Sequence, residues 1–253
     1  MTTAEQPKST AISFEINPAL NRSALRRAFE INRRVQVASF LKSGAAQALA
    51  QHLSSEIEWS VVLVKDGRLF EVPPATHSTY SPVQEQQLAQ LAYTEAKKGF
   101  SFLYQSNWRS LAERDSQTES APSASLSAQL AAFLGSRTVL AFMSELTGVH
   151  GLCRSTAQAT YYQPGHFLSP HTDANEDSAR RIAYVLNLSR DWQAHWGGLL
   201  HFIDPDSNAS EAYVPYFNSL NVFCVPQLHA VSMVSHIAME KRLAITGWFY
   251  ADV

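Results

Sequence analysis

Cysteine is nearly missing from this chain of 253 residues, where only Cys153 and Cys224 occur. Two distant cysteines cannot build a disulfide framework and lack the CxxC spacing of a zinc or redox pair, so two buried thiols in a reducing cytoplasm are expected. An excess of charge of either sign is missing as well: Lys+Arg 20 against Asp+Glu 22 leaves a formal net charge of −2. That balance excludes a global basic field for recruiting nucleic acid or an anionic membrane. No apolar run approaches the roughly 18 residues of a membrane span, and the N-terminus has no basic segment followed by an apolar one. A GxSxG elbow and a phosphate-binding glycine loop are also absent, since Gly197-Gly198 stand before a strand pattern and not before a helix. What remains is a cytoplasmic chain, 45% hydrophobic and able to bury a substantial core, whose partner is small or locally recognised.

The apolar spacing divides the chain in two. Residues 1–30 read as an N-terminal extension, and 31–253 as a single domain with helical support and loops over 31–150 and a β core over about 151–253. "RRVQVASFL" alternates as a short strand before a helix beginning at Ser43. Two apolar runs around Asp66-Gly67 predict a hairpin. A polar loop follows through "PPATHSTYSP", and then a helix from Pro82 to about Gly99, entered by proline and ended by glycine. The serine-rich stretch 112–128 reads as a mobile surface loop, and helical spacing resumes beyond it with a break near Gly135-Ser136. After Gly151, short β-rich runs at close spacing indicate a sandwich or barrel.

"QPGHFLSPHTD" carries the chemistry. His171 and Asp173 are two apart, so an extended segment points both side chains to one face. An imidazole and a carboxylate on one face need a third ligand to fill three positions of an octahedron, leaving the rest open; that facial set suits non-haem Fe(II). His229 stands fifty-eight positions on (229 − 171), at the start of a strand pattern, and His236 competes with it less well. Arg242 opens "RLAITGWF", where Arg242, Ala244, Thr246 and Trp248 share one face by period two. An arginine on a buried strand face calls for an anion, and a carboxylate satisfies it bidentately. His166 reads as a loop histidine, His201 as structural, and Asp204 and Asp206 as a solvated turn.

The ordered series "YYQPGHFLSPHTD", "RIAYVLNLSRDWQAHWGGLLHF", "VPYFNSLNVFCVPQLHAVSMV" and "KRLAITGWF", spanning about Tyr161 to Phe249, resembles the prolyl 4-hydroxylase-like branch of the Fe(II)- and 2-oxoglutarate-dependent oxygenases. The resemblance implies an α+β chain built on a mainly β core, a double-stranded β-helix of the jelly-roll or cupin type with supporting N-terminal and central helices. It implies Fe(II) held by His171, Asp173 and His229, with 2-oxoglutarate and O2 as co-substrates and ascorbate as an accessory reductant. Arg242 would hold the distal carboxylate of 2-oxoglutarate, with Tyr162, Asn187 and Thr246 in the same pocket and Leu168, Val231 and Trp248 lining it. No residue is assigned as a catalytic acid or base. Asn187 stands where many members have a second tyrosine, so either Asn187 bonds the co-substrate or Tyr184 does. The spacing from His229 to Arg242 is longer than in many relatives, and a loop within "SMVSHIAMEK" would absorb it. The implied substrate is a prolyl residue in a protein or peptide. A free amino acid or small metabolite, a non-catalytic β-helix sensor and a zinc hydrolase are the alternatives.

Overall fold

The computed structural model describes residues 12–107, 125–174 and 179–251. Most of the serine-rich stretch therefore lies outside the described residues. Its end does not continue as loop: Ser125 caps a helix at Leu126–Leu134, accepting from the Ala128 amide, because serine at that position satisfies a donor the helix leaves open.

Six helices occur among the described residues: α1 Arg22–Asn32, α2 Ser43–Ser55, α3 Pro74–His77, α4 Pro82–Ala96, α5 Leu126–Leu134 and α6 Arg137–Thr147. Thirteen strands accompany them. Before Gly151 come β1 Arg34–Val37, β2 Ser60–Lys65, β3 Arg68–Val72 and β4 Phe102–Asn107. The remainder are β5 Leu152–Ser155, β6 Gln158–Tyr162, β7 Phe167–His171, β8 Arg180–Asn187, β9 Leu200–Ile203, β10 Ala209–Tyr213, β11 Ser219–Cys224, β12 His229–Val231 and β13 Arg242–Ala251.

Local chemistry explains the boundaries. Asp66 and Gly67 both take positive φ, 52° and 71°, as the two-residue turn of a right-twisted hairpin requires. Helix α4 starts in a capping box, with Ser81 accepting from the Gln84 amide and Gln84 reaching back, and Pro82 follows the cap. The polar loop ahead of it contains one helical turn, α3, nucleated by Pro74 at its first position. Ser136 caps α6 directly after Gly135, which accounts for the break between α5 and α6 and their 48° bend. No single described helix is long and apolar enough to cross a membrane.

The strands form a nearly closed antiparallel barrel, the double-stranded β-helix. One layer runs β1-β11-β8-β13-β6 and the other β7-β12-β9-β10, with β4 pairing to both β6 and β7 and so joining them. Side chains of β13 alternate between two environments. Leu243, Ile245 and Phe249 turn outward into the main core, with Ile182, Tyr184 and Leu186 of β8 and with Leu49, Leu130 and Phe142 of the helices. Arg242, Thr246 and Trp248 turn inward to the cavity. Period two on this single strand thus separates stability from chemistry.

Helix α1 crosses residue 30, the expected end of an N-terminal extension. Asn21 caps it, and Phe29 is 0% exposed in the main core beside Val35 and Val37. Replacing Phe29 by alanine is expected to lower unfolding stability by about 3–5 kcal/mol, within a single cooperative urea transition, as for an aromatic lost from a packed core. A detachable extension would give a change under about 1 kcal/mol.

Candidate active site

Strand pairing brings the two histidines together. His171 at the end of β7 lies directly opposite His229 at the start of β12, and their ring centroids are 4.1 Å apart. Each ring is oriented from behind by the backbone two residues earlier. His171 Nδ1 donates to the Ser169 carbonyl at 3.1 Å and His229 Nδ1 to the Gln227 carbonyl at 2.8 Å. A carbonyl only accepts, so the proton sits on Nδ1 and the Nε2 lone pairs are free.

Both Nε2 atoms face Asp173, at 3.4 Å from Oδ1 for His171 and 3.5 Å from Oδ2 for His229. The extended segment expected through Asp173 is not what the chain does. The strand ends at His171, and Asp173 takes a left-handed φ of 58°, which aspartate tolerates better than most residues. A turn, and not strand alternation, therefore aims the carboxylate. Burial alone would raise the Asp173 carboxyl, but hydrogen bonding and charge from His171 and His229, with the Trp248 indole, carry it below the usual range. Burial and the nearby His171 lower His229 to about 4, so it stays neutral at physiological pH.

One donor atom from each of the three lies within 4.8 Å of the others, the grouping a metal ion can occupy. Two imidazoles and one carboxylate, the rings orientated by backbone carbonyls and the group open on the cavity side, fit Fe(II).

The cavity has a volume of about 230 Å³. At its far end lies Arg242, 2% exposed. Its Nε donates to the Gly198 carbonyl at 2.6 Å, and its guanidinium sits 4.6 Å from the Tyr162 ring centre. Among the described residues no carboxylate pairs with it, an arrangement that costs several kcal/mol unless an anion completes it. Burial raises the Tyr162 hydroxyl above the ordinary range, so it stays a neutral donor. The donor set therefore fits a carboxylate at this end of the cavity.

Tyr162, Leu168, Val231, Thr246 and Trp248 all line the cavity as expected. Asn187 does not. It lies on the inner face opposite Ala244, but its amide is engaged by Ser219, donating from Nδ2 to Oγ at 3.1 Å. Tyr184 does not replace it through its side chain, which packs against Phe249 on the outer face and donates from its hydroxyl to the Thr156 carbonyl at 2.8 Å. The Asn187 amide and the Tyr184 hydroxyl are thus both engaged within the protein, while Tyr184 borders the cavity. His166 stands outside the three-donor group, in the loop before β7, and is buried where a loop residue would be exposed. His236 is exposed.

Three groups escaped the sequence reading. Phe100, Phe102 and Tyr104 line the cavity from β4 and the turn before it, with Tyr104 stacked on Tyr162 at 5.1 Å and 14°. Their period-two spacing in "FSFLY" was the available signal. Gln158 and Thr160 face inward opposite Thr246 and Ala244. Gly198, at φ 64°, is a packing requirement: a Cβ there would lie 2.7 Å from Arg242 Cδ. The neighbouring Gly197 carbonyl accepts from the Trp192 indole at 2.9 Å, and the Ser232 carbonyl accepts from the Gly198 amide. The stretch after His229 does absorb the long spacing to Arg242, since Val234 and Ser235 bond back to His166 and Trp196.

Residues 157–250 match the family described as the 2OG-Fe(II) oxygenase superfamily, and Tyr162, the three metal-site residues, Arg242, Thr246 and Trp248 all fall within that match. The chain is similar to the prolyl 3-hydroxylase OGFOD1 of Mus musculus, 30% identical over 117 residues, which is 44% of this chain and 21% of that protein. It thus spans about a fifth of that relative. Among solved structures, a Pseudomonas putida prolyl-4-hydroxylase superposes with a TM-score of 0.58 at 20% identity, covering 92% of this chain and 100% of the other. A Trichoplax adhaerens prolyl hydroxylase, in complex with a hypoxia inducible factor peptide fragment, gives 0.58 at 14% identity over 91% and 89%.

Replacing Gly198 by alanine is expected to weaken 2-oxoglutarate binding about tenfold by displacing Arg242, while Fe(II) binding stays within about twofold; isothermal titration of each separates them. A second prediction concerns His166, which burial holds at about 4 against an ordinary 6.5. A histidine depressed on folding leaves the unfolded state binding more protons between those values, so stability falls as pH drops through that window, by up to about 3 kcal/mol. Urea unfolding of His166→Gln at pH 7 and pH 4.5 is expected to show a smaller acid loss than the wild type.

Proposed function

We propose that this chain, whose residues 157–250 match the 2OG-Fe(II) oxygenase superfamily, is an oxygenase of prolyl 4-hydroxylase-like architecture that hydroxylates a prolyl residue in a protein or peptide. The observation that carries the oxygenase reading is the pairing of an open two-histidine, one-carboxylate site with a buried arginine lacking a carboxylate, inside one cavity. A zinc hydrolase with the same ligands has no use for that arginine, and a sensor has none for open metal positions.

In this reading His171, Asp173 and His229 hold Fe(II). Arg242 fixes the distal carboxylate of 2-oxoglutarate, with the Tyr162 hydroxyl beside it and Thr246 along the cavity wall. When bound, the metal and co-substrate supply the oxidation: O2 gives one atom to succinate, CO2 leaves, and the other atom becomes the hydroxyl of the product. The chain's own part is placement and dryness. The Tyr104–Tyr162 stack, Leu168 and Val231 keep water from the reacting centre, and no side chain is needed as a proton shuttle.

The prolyl preference rests on the relatives and on the mouth of the cavity. Phe100 is 50% exposed there, its ring 5.5 Å from that of His171. An exposed aromatic beside the metal ligands suits the flat apolar face of a pyrrolidine ring. The β2–β3 hairpin carries exposed Leu69 and Phe70, a further apolar surface for a peptide.

The test has two arms. Anaerobic addition of Fe(II) and then 2-oxoglutarate to metal-free protein is expected to give a weak visible charge-transfer band, lost in Asp173→Ala. Under oxygen, with ascorbate present, prolyl peptides are expected to gain one oxygen by mass spectrometry and to raise succinate release at least tenfold, whereas free proline does neither. A missing band sinks the oxygenase reading; a band with turnover on free proline alone sinks the peptide reading.

A further inference from the structure

The register across three strands sets a row of charge at the rim of the barrel. Arg154 of β5 lies opposite Tyr250 of β13, and Tyr250 lies opposite Arg180 of β8. Directly opposed residues of antiparallel strands share a face. The β8–β13 register shifts between Phe249 and Tyr250, and the row reaches the cavity through Arg180, which lines it beside Trp248.

The side chains bear this out. The Arg154 guanidinium stacks 3.6 Å from the Tyr250 ring centre, and that of Arg180 lies 3.9 Å from the Trp248 ring centre. Arg180 itself lines the cavity. Burial would raise the Tyr250 hydroxyl, but hydrogen bonds from Thr156 and Arg180 and the charges of Arg180 and Arg154 carry it below the ordinary tyrosine range. Two guanidinium groups thus flank one phenol, and among the described residues neither has a carboxylate within ion-pair distance. The Trp248 indole reaches toward Asp173, which leaves a single ring between Arg180 and the metal site.

Resting on the oxygenase reading, we propose that Arg154 and Arg180 form a substrate subsite for a carboxylate next to the carbon that is hydroxylated. Arg242 already serves the co-substrate from the other end of β13. Its backbone lies roughly 27 Å from that of Tyr250 at the rise of an extended strand, too far for one small dicarboxylate to engage both ends. The rim pair is therefore left for the second reactant. A local cation pair on a chain of net charge −2 is a selective feature, because no overall positive charge draws anions to the chain. Planar, stacked guanidinium groups also favour a carboxylate over a lone carbonyl, to which one donor suffices.

Two sources carry this chemistry: an acidic side chain near the target proline of a peptide, or the α-carboxylate of a small amino acid. Binding, without turnover, separates them. With the Fe(II)- and 2-oxoglutarate-loaded protein under argon, two pairs of probes are compared by competition anisotropy. One pair is a proline peptide with glutamate beside the proline and its glutamine analogue; the other is N-acetylproline and its amide. We expect the acid of at least one pair to bind about tenfold tighter than its neutral partner, with the advantage shrinking as salt rises. Arg154→Ala should cut the advantage to about threefold and the Arg154→Ala, Arg180→Ala double variant should abolish it, while Arg154→Lys retains part. The anaerobic charge-transfer band reports that each variant is folded. A gap in the peptide pair assigns the acidic side chain, and a gap in the small-molecule pair assigns the α-carboxylate. The subsite is overturned if the wild type shows no gap in either pair, or if the gap persists in the double variant. If the gap is present but no peptide is hydroxylated, the prolyl reading falls and the subsite stands.

Discussion

A buried guanidinium without a counter-ion is the constraint around which this molecule is arranged. Arg242 begins β13, and the chain around it is shaped to let it lie along the cavity and not in the sheet. Gly198 yields the space of a side chain, and its carbonyl takes one donor. Trp192 holds the Gly197 carbonyl, and the stretch after His229 bonds back onto the same turn through Ser232 and Val234. Tyr162 covers the guanidinium face. Each of these contacts fixes the side chain's position, yet none neutralises it, and the remaining donors face the cavity. A charge so held is costly in the free protein and becomes favourable only with an anion in place. Stability has been traded for a ligand at this position.

The metal site follows a different logic, with strand pairing supplying most of the precision. Opposed positions on β7 and β12 fix two rings, and the backbone carbonyls of Ser169 and Gln227 fix their tautomers. The third donor comes from a residue just past the strand end, in a conformation that few side chains tolerate. Mixing rigid strand positions with one turn position lets three donors converge on one side and leaves the other side open. Three donors in neighbouring strand positions would lie in a row, which does not cap one face of an octahedron.

Much of this was legible in the sequence, for reasons that can be stated residue by residue. His171 was found by its spacing from Asp173, and His229 and Arg242 because each opens a strand whose alternation shows in "HAVSM" and "RLAITGW". Asp173 was found by a two-residue spacing that assumed extended backbone, and the left-handed turn reaches the same place by another route. That Tyr184 and not Asn187 borders the cavity could not be read, because it depends on how β8 lies against β13, a matter of register and not of pattern. Tyr104 and Phe100 were passed over because β4 contributes them from before the helical segment, far from the motif-bearing strands. Gly198 read only as a turn glycine, since its contact with Arg242 spans forty-four positions of sequence. Helix α1, set apart as an extension, is amphipathic but short, and nothing local shows that Phe29 meets β1.

The rim cations belong to this last class, because Arg154, Tyr250 and Arg180 come from three segments with nothing in common but a row of the sheet. Their placement gives the cavity an electrical axis: positive at Arg242, negative at Asp173, positive again beyond Trp248. Two anionic groups entering from opposite ends would each find its own cation, on either side of the Asp173 carboxylate. Of these charges only Arg242 stands on β13, whose inward positions recur every second residue as far as Trp248. On such a strand, moving Arg242 by one residue would send it into the hydrophobic core behind the sheet. The position of Arg242 is therefore protected by the same alternation that builds the core, and anion binding and fold stability constrain one strand.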